Sequence, residues 1–178
     1  ILWDARTGKA EQAMKGHVFR VSSVSFSADG MRLASGSFDN SIRVWDAITG
    51  LLLRAIDDAH GRHVRRVQFS PTDSRRLASV GDDKTLTQWD IESGEMRWRV
   101  EGHWFAVFSP DGHTIATAGG ADAEDVLLVD AETGALRLRL VRHQHVVILA
   151  SFSIDGSMLA SGSLDGACKV WDSSTGAL

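Results

Sequence analysis

The sequence predicts an all-β chain, a β-propeller built of four-stranded antiparallel blades, with about four blades present as a partial or small ring. Three observations carry that prediction. Trp-Asp recurs as Trp3-Asp4, Trp45-Asp46, Trp89-Asp90 and Trp171-Asp172, with Val129-Asp130 in the remaining slot, at spacings of 42, 44, 40 and 42 residues. Self-similarity at roughly 40 to 45 residues, ending in Trp-Asp and carrying an upstream Gly-His, marks one four-stranded sheet per repeat. The apolar segments are short, and none runs ten residues without a Gly, Pro or Asp-rich break, which argues against helix. Thr-Gly or Ser-Gly turns punctuate the chain at Thr7, Thr49, Ser93, Thr133 and Thr175.

The repeats are expected at about 5–46, 47–90, 91–130 and 131–172, with partial strands at both ends. First strands read Val21 to Phe26, Val64 to Phe69, a stunted Phe105 to Phe108, and Val146 to Phe152, and Asp29-Gly30, Asp111-Gly112 and Asp155-Gly156 supply hairpin turns after three of them. Second strands read Leu33-Ala34-Ser35-Gly36, Leu77-Ala78-Ser79, Ile115-Ala116-Thr117-Ala118 and Leu159-Ala160-Ser161-Gly162, whose small residues permit close approach of neighbouring sheets. Third strands follow an Asp-containing turn and carry Val44, Gln88, Leu128 and Val170 at one common position. Fourth strands alternate most clearly, with Leu136, Leu138 and Leu140 against Arg137 and Arg139, as an outer, half-solvated strand requires. The segment Lys9 to Lys15 is expected to supply a fourth strand for the last repeat, closing the ring within one chain or between two copies.

Composition narrows the function classes. With 43% hydrophobic and 24% charged residues in 178, the chain has the balance of a globular domain with a sizeable core. The longest apolar run, Val146 to Ala150, is far shorter than the roughly 20 residues that cross a bilayer, and no signal-like segment precedes the first repeat; the expectation is a cytoplasmic or nuclear protein without membrane contact. Cys168 stands alone, which excludes an internal disulfide, and its neighbours Lys169, Val170 and Trp171 suggest a small buried hydrophobe. The formal charge of −4 argues against duplex DNA. His143 with His145, or His60 with His63, lacks a third nearby metal ligand. Gly119-Gly120 lacks the Lys and helix start of a phosphate loop. No metal or cofactor is expected.

In these phased motifs the chain resembles the WD-repeat β-propeller family across essentially its whole length. The resemblance implies a hydrogen-bonded tetrad of His, Ser or Thr, Asp and Trp in each blade. By position the tetrads are His17, Ser35, Asp39 and Trp45; His60, Ser79, Asp83 and Trp89; and His143, Ser161, Asp165 and Trp171. Indole only donates, carboxylate only accepts, and hydroxyl and imidazole do both, so donors can point down such a chain. Ser, His and Asp also compose a hydrolase triad, but here the set recurs three times with a Trp attached, whereas an active site is singular; no catalytic residue is assigned.

The third repeat departs from pattern. His103 lies five residues before Phe108, against nine in the other repeats, Val129 replaces Trp, and the turn from Gly119 to Asp125 is two residues longer and acidic, with Asp122 or Asp125 as its carboxylate. It is either a remodelled binding surface or a worn repeat, which neighbours can tolerate. The resemblance implies a non-catalytic scaffold that binds proteins or peptides through its loops; the alternatives are a regulatory segment of a larger kinase or NTPase, and a nucleic-acid binder using Arg62, Arg65, Arg66, Arg75 and Arg76. Large or charged rim residues without a visible packing duty are the candidate contacts: Phe19, Arg20, Phe38, Asn40, Arg62, His63, Trp104, Gln144 and His145. The competing reading of Phe19 and Trp104 is that they cover the blade beneath them.

Overall fold

A computed structural model describes residues 1–119 and 123–178, with the backbone alone at His103. Among the described residues the regular structure is all strand. Leu2–Trp3 (β1) and Ala10–Gln12 (β2) form a two-stranded sheet. Three four-stranded antiparallel meanders follow. The first is Val21–Phe26 (β3), Arg32–Ser37 (β4), Ile42–Asp46 (β5) and Leu52–Ile56 (β6); the second is Val64–Phe69 (β7), Arg76–Gly81 (β8), Thr85–Asp90 (β9) and Met96–Glu101 (β10). The third is His103–Phe108 (β11), Thr114–Gly119 (β12), Asp125–Asp130 (β13) and Leu136–Leu140 (β14). A three-stranded sheet of Val147–Phe152 (β15), Met158–Ser163 (β16) and Cys168–Asp172 (β17) ends the array.

The first strands lie innermost: β3 packs beside β7, β7 beside β11, and β11 beside β15, so the sheets fan out as blades of a partial propeller. Side chains stitch these inner strands together. Ser23 accepts from the Val67 N–H at 3.2 Å, Ser25 from that of Phe69 at 3.0 Å, and the Gln68 amide oxygen from that of Phe108 at 3.0 Å. The core is three layers between blades, one for each pair of neighbours. The first sets Ala34, Ile42 and Val44 against Val64, Val67 and Phe69. The second sets Ala78, Val80 and Leu86 against Ala106, Phe108 and Ile115, and the third Ala116, Val126 and Leu128 against Val147, Ala150 and Leu159. Small residues make the approach possible: a Cβ on Gly36 would stand 2.6 Å from the Val64 Cγ1, and Ala34, Ala78 and Ala116 are fully buried.

The first end of the arc is flanked only by the β1–β2 pair, which reaches it through Gln12 and Ile48, and among the described residues no further sheet covers the last. Val24 and Phe26 are 60% and 50% exposed, against 2% and 3% for their counterparts Val67 and Phe69. Val170 is 44% exposed where Val44 is buried. Three expectations are corrected here. β2 bonds to β1 and not to β17, because Trp3 and Ala10 already sit in the register that joins third and fourth strands elsewhere. Cys168 is exposed, since β17 is the edge of its sheet with no outer strand over it. The first strand of the third blade is not stunted: it begins at His103 and has six residues, like β3 and β7.

Three of the Trp-Asp dipeptides, at Trp45, Trp89 and Trp171, face two ways. The Asp46 Oδ1 accepts the N–H groups of Ile48 at 3.0 Å and Thr49 at 2.7 Å, while the Gly50 N–H returns to the Asp46 carbonyl at φ +72°. Asp4, Asp90, Asp130 and Asp172 repeat this turn with Gly8, Gly94, Gly134 and Gly176. A side-chain acceptor for two turn amides and a glycine in the left-handed region are what a tight hairpin asks for.

Candidate functional site

The indoles of Trp45, Trp89 and Trp171 point the other way, into their sheets, while Trp3 is 57% exposed. Trp45 stands opposite Leu33 on the ladder, and its Nε1–H donates diagonally to the hydroxyl of Ser35 at 2.8 Å. The Ser35 oxygen lies 2.8 Å from the His17 Nε2, and the His17 Nδ1 lies 2.9 Å from an Asp39 oxygen. The second blade brings together Trp89, Ser79, His60 and Asp83 at 2.8, 2.7 and 3.0 Å. The fourth brings together Trp171, Ser161, His143 and Asp165 at 2.8, 2.8 and 2.9 Å. A carboxylate fixes the ring proton on Nδ1, so Nε2 accepts the serine proton and the serine oxygen accepts the indole N–H. Each carboxylate also takes the N–H that follows its histidine, from Val18, Gly61 and Gln144 at 3.0, 2.8 and 2.9 Å, which ties the incoming loop to the turn.

Electrostatics follow from these contacts. Burial pushes the Asp39 carboxyl up, but hydrogen bonds from Ser41, His17 and Val18 outweigh it and hold the group well below the usual range. Asp165 is held low first by the Gln144 amide. Burial holds the His60 ring below its ordinary value of 6.5, against the pull of Asp83. Ser79 and Ser161 are 0% exposed, and their hydroxyls are occupied on both sides. Each such oxygen joins an indole to an imidazole within one blade.

The third blade uses other means. Thr117 occupies the serine position, and its hydroxyl donates to the Phe105 carbonyl at 2.7 Å. Asp125 pairs with Gly119 and so opens β13, the place that Ser41 holds in the first blade, instead of lying in the turn. It is 2% exposed, and one of its oxygens receives the Nε and an Nη of Arg139, both at 2.6 Å. Asp122, the other candidate for the turn, and the His103 side chain lie outside the described residues.

The rim above the first three blades gathers part of the candidate contact set. Phe38 stacks on His63 with ring centroids 4.5 Å apart and planes 4° from parallel, and the His63 Nδ1 lies 2.8 Å from the Phe38 carbonyl oxygen. The guanidinium carbons of Arg20 and Arg65 lie 5.2 and 5.1 Å from the Phe38 centroid, and that of Arg65 lies 5.7 Å from Trp104. Arg65 also meets Asp82 at 2.5 Å. The spacing rules missed Arg65 as a rim residue. A β-bulge explains it: the ladder pairs Val64 with Gly81 and Arg66 with Val80, skipping Arg65, and it skips Trp104 likewise on β11. Bulges re-aim side chains, and Trp104 bears a positive φ of 63°.

The other candidates separate from this cluster. Phe19 is 69% exposed and Arg62 is exposed. Asn40, at φ 69°, fills the left-handed turn position that Lys84 and Gly166 fill elsewhere, a backbone reason for its presence. Gln144 and His145 lie with Glu124 and Val146 around a cavity of about 300 Å3 by the fourth blade. Arg75 and Arg76 are committed to Asp73, Asp90, Glu92 and Glu132, so they do not extend the basic run of Arg62, Arg65 and Arg66. Among the described residues no group of three His, Cys, Asp or Glu side chains is placed to hold a metal ion, and no helix is long and apolar enough to cross a membrane.

Comparison with known proteins agrees with this geometry. The family model "WD domain, G-beta repeat" matches residues 8–46, 52–90 and 136–172; the third repeat falls between the matched segments. The chain is 28% identical to "Periodic tryptophan protein 2 homolog" of Dictyostelium discoideum, over 97% of this chain and 19% of that protein. It is 27% identical to "U5 small nuclear ribonucleoprotein 40 kDa protein" of the same organism, over 97% of this chain and 50% of that protein. It is 26% identical to "Guanine nucleotide-binding protein subunit beta" of Oryza sativa subsp. indica, over 99% of this chain and 50% of that protein. The chain thus spans between a fifth and a half of the length of these relatives.

Proposed function

Since the chain belongs to the WD-repeat family, we propose that it serves as a non-catalytic binding module of an intracellular protein, docking a peptide or protein surface on the rim built by Arg20, Phe38, His63, Arg65 and Trp104. One observation carries the reading: two arginines, a histidine and two aromatic rings from three successive blades meet in one cluster outside the interblade core. Aromatic and arginine side chains supply most of the energy of a protein interface once a partner buries them. The rigid blades hold these loops in place, so little ordering cost falls on binding. The names of two relatives place them in assemblies, one in a ribonucleoprotein and one as a subunit, which fits a module whose work is contact. The uncovered apolar faces at Val24, Phe26 and Val170 fit contact with a further blade, from the same polypeptide or a second copy.

The test compares the proteins retained from a cell extract by the unaltered chain with those retained by Phe38→Ala combined with Trp104→Ala, using Arg75→Ala on the far edge as a control. The expected result is a defined set lost with the rim pair and kept by the control. Identical sets from all three would end the assignment to this rim.

A further inference from the structure

We infer that the partner bound on this rim is an acidic peptide segment, an inference that rests on the rim reading above and names its chemistry. The rim cluster is cationic on a chain of net charge −4. Arg20 and Arg66 have no carboxylate within ion-pair distance among the described residues, while Asp82, the carboxylate that touches the cluster, is already taken by Arg65. An arginine stacked on a ring keeps its planar fork of N–H groups free at the edge, and that fork matches a carboxylate in two parallel hydrogen bonds. Stacking on Phe38 holds Arg20 in advance of binding. Arg66 continues the series inward: with Ser23, Ser25, Gln68 and Val107 it lines a cavity of about 270 Å3 between the inner strands. Trp104, 43% exposed, adds apolar area beside Arg65.

Single-stranded nucleic acid is the competitor, because its bases stack on aromatic rings and its phosphates pair with arginine. The ring faces argue against it. Phe38 already carries His63 and two guanidinium groups, and Trp104 carries Arg65. A phosphate backbone also needs a continuous basic track, and Arg75 and Arg76 do not supply one.

The experiment selects a random dodecapeptide phage library on the immobilised 178-residue chain and measures labelled oligo(U) binding by fluorescence anisotropy in parallel. The expected outcome is enrichment of peptides rich in Asp and Glu, with affinity that falls as salt rises. Arg20→Gln combined with Arg66→Gln should weaken the selected peptides by at least about tenfold. Both side chains are exposed, so the melting temperature should match that of the parent and show that the loss is not unfolding. Enrichment of neutral or basic peptides overturns the acidic class and leaves the rim reading standing. Enrichment of nothing overturns both, and oligo(U) binding tighter than any selected peptide overturns the choice of partner class.

Discussion

Replacing Gln88 with leucine should make this protein more stable, although it removes a polar side chain and adds no contact. Gln88 stands in β9 between Ala78 and Trp98, is 0% exposed, and neither its amide oxygen nor its amide nitrogen has a hydrogen-bond partner. Val44 and Leu128 hold the same strand position in the neighbouring blades and are equally buried. Burying an unpaired amide costs about 1–3 kcal/mol in proteins, and a hydrophobic swap of similar volume loses less than about 1.5 kcal/mol in repacking. At the middle of both ranges the net gain is about 1 kcal/mol, and for a chain of this size each kcal/mol moves the melting temperature by about 2–4 °C. Scanning calorimetry, supported by guanidinium unfolding followed through tryptophan fluorescence, should show a rise of roughly 2–4 °C. The reciprocal change, Val44→Gln, should lower it by a similar amount. A drop in stability for Gln88→Leu, alongside the expected drop for Val44→Gln, would show that the Gln88 amide is satisfied and refute the reasoning.

Other consequences are open to measurement. His60→Ala strips partners from Ser79 and Asp83 in a buried site and should cost about 2–4 kcal/mol, whereas Arg137→Ala, which breaks an exposed ion pair with Asp130, should cost under about 1 kcal/mol; equal losses in denaturant titrations would contradict this. Trp104→Gly should be more stable than Trp104→Ala by about 1 kcal/mol, because the position is left-handed and only glycine adopts it without strain; the two midpoints in urea decide the point. Stability should be flat above pH 6.5 and fall below it. The folded His60 resists the proton that its unfolded counterpart takes up near 6.5, and carboxyls such as Asp130 and Asp172, lowered to about 2, add a steeper loss below about 4. A melting temperature that climbs between pH 6.5 and 5 would reverse that sign.

The parts of the fold that repeat were the parts legible in the residues. The His, Ser, Asp and Trp positions recur at nearly constant spacing, with His and Ser 18, 19 and 18 residues apart, because each set must meet in a three-dimensional knot of one size. What does not repeat left no periodic trace. Arg65 and Trp104 reach the rim through bulges, which shift the ladder by a residue or two without altering composition. The orphaned amide of Gln88 depends on its surroundings in the folded sheet and not on its neighbours in sequence. Cys168 carries the neighbours of a buried residue and is exposed only because β17 is an edge, a matter of the strand beside it and not of its own surroundings in sequence.

The two-way construction of the Trp-Asp dipeptides bears on how the chain folds. The aspartate turn closes within four residues and needs no distant segment, so each such hairpin can form by itself early. The indole's knot must wait for a histidine some 28 residues upstream, as between His17 and Trp45, and locks only when a loop has been drawn across the finished sheet. Nucleation is thereby distributed along the polypeptide while consolidation proceeds blade by blade, which gives a newly made chain ordered units to work with before its synthesis is complete.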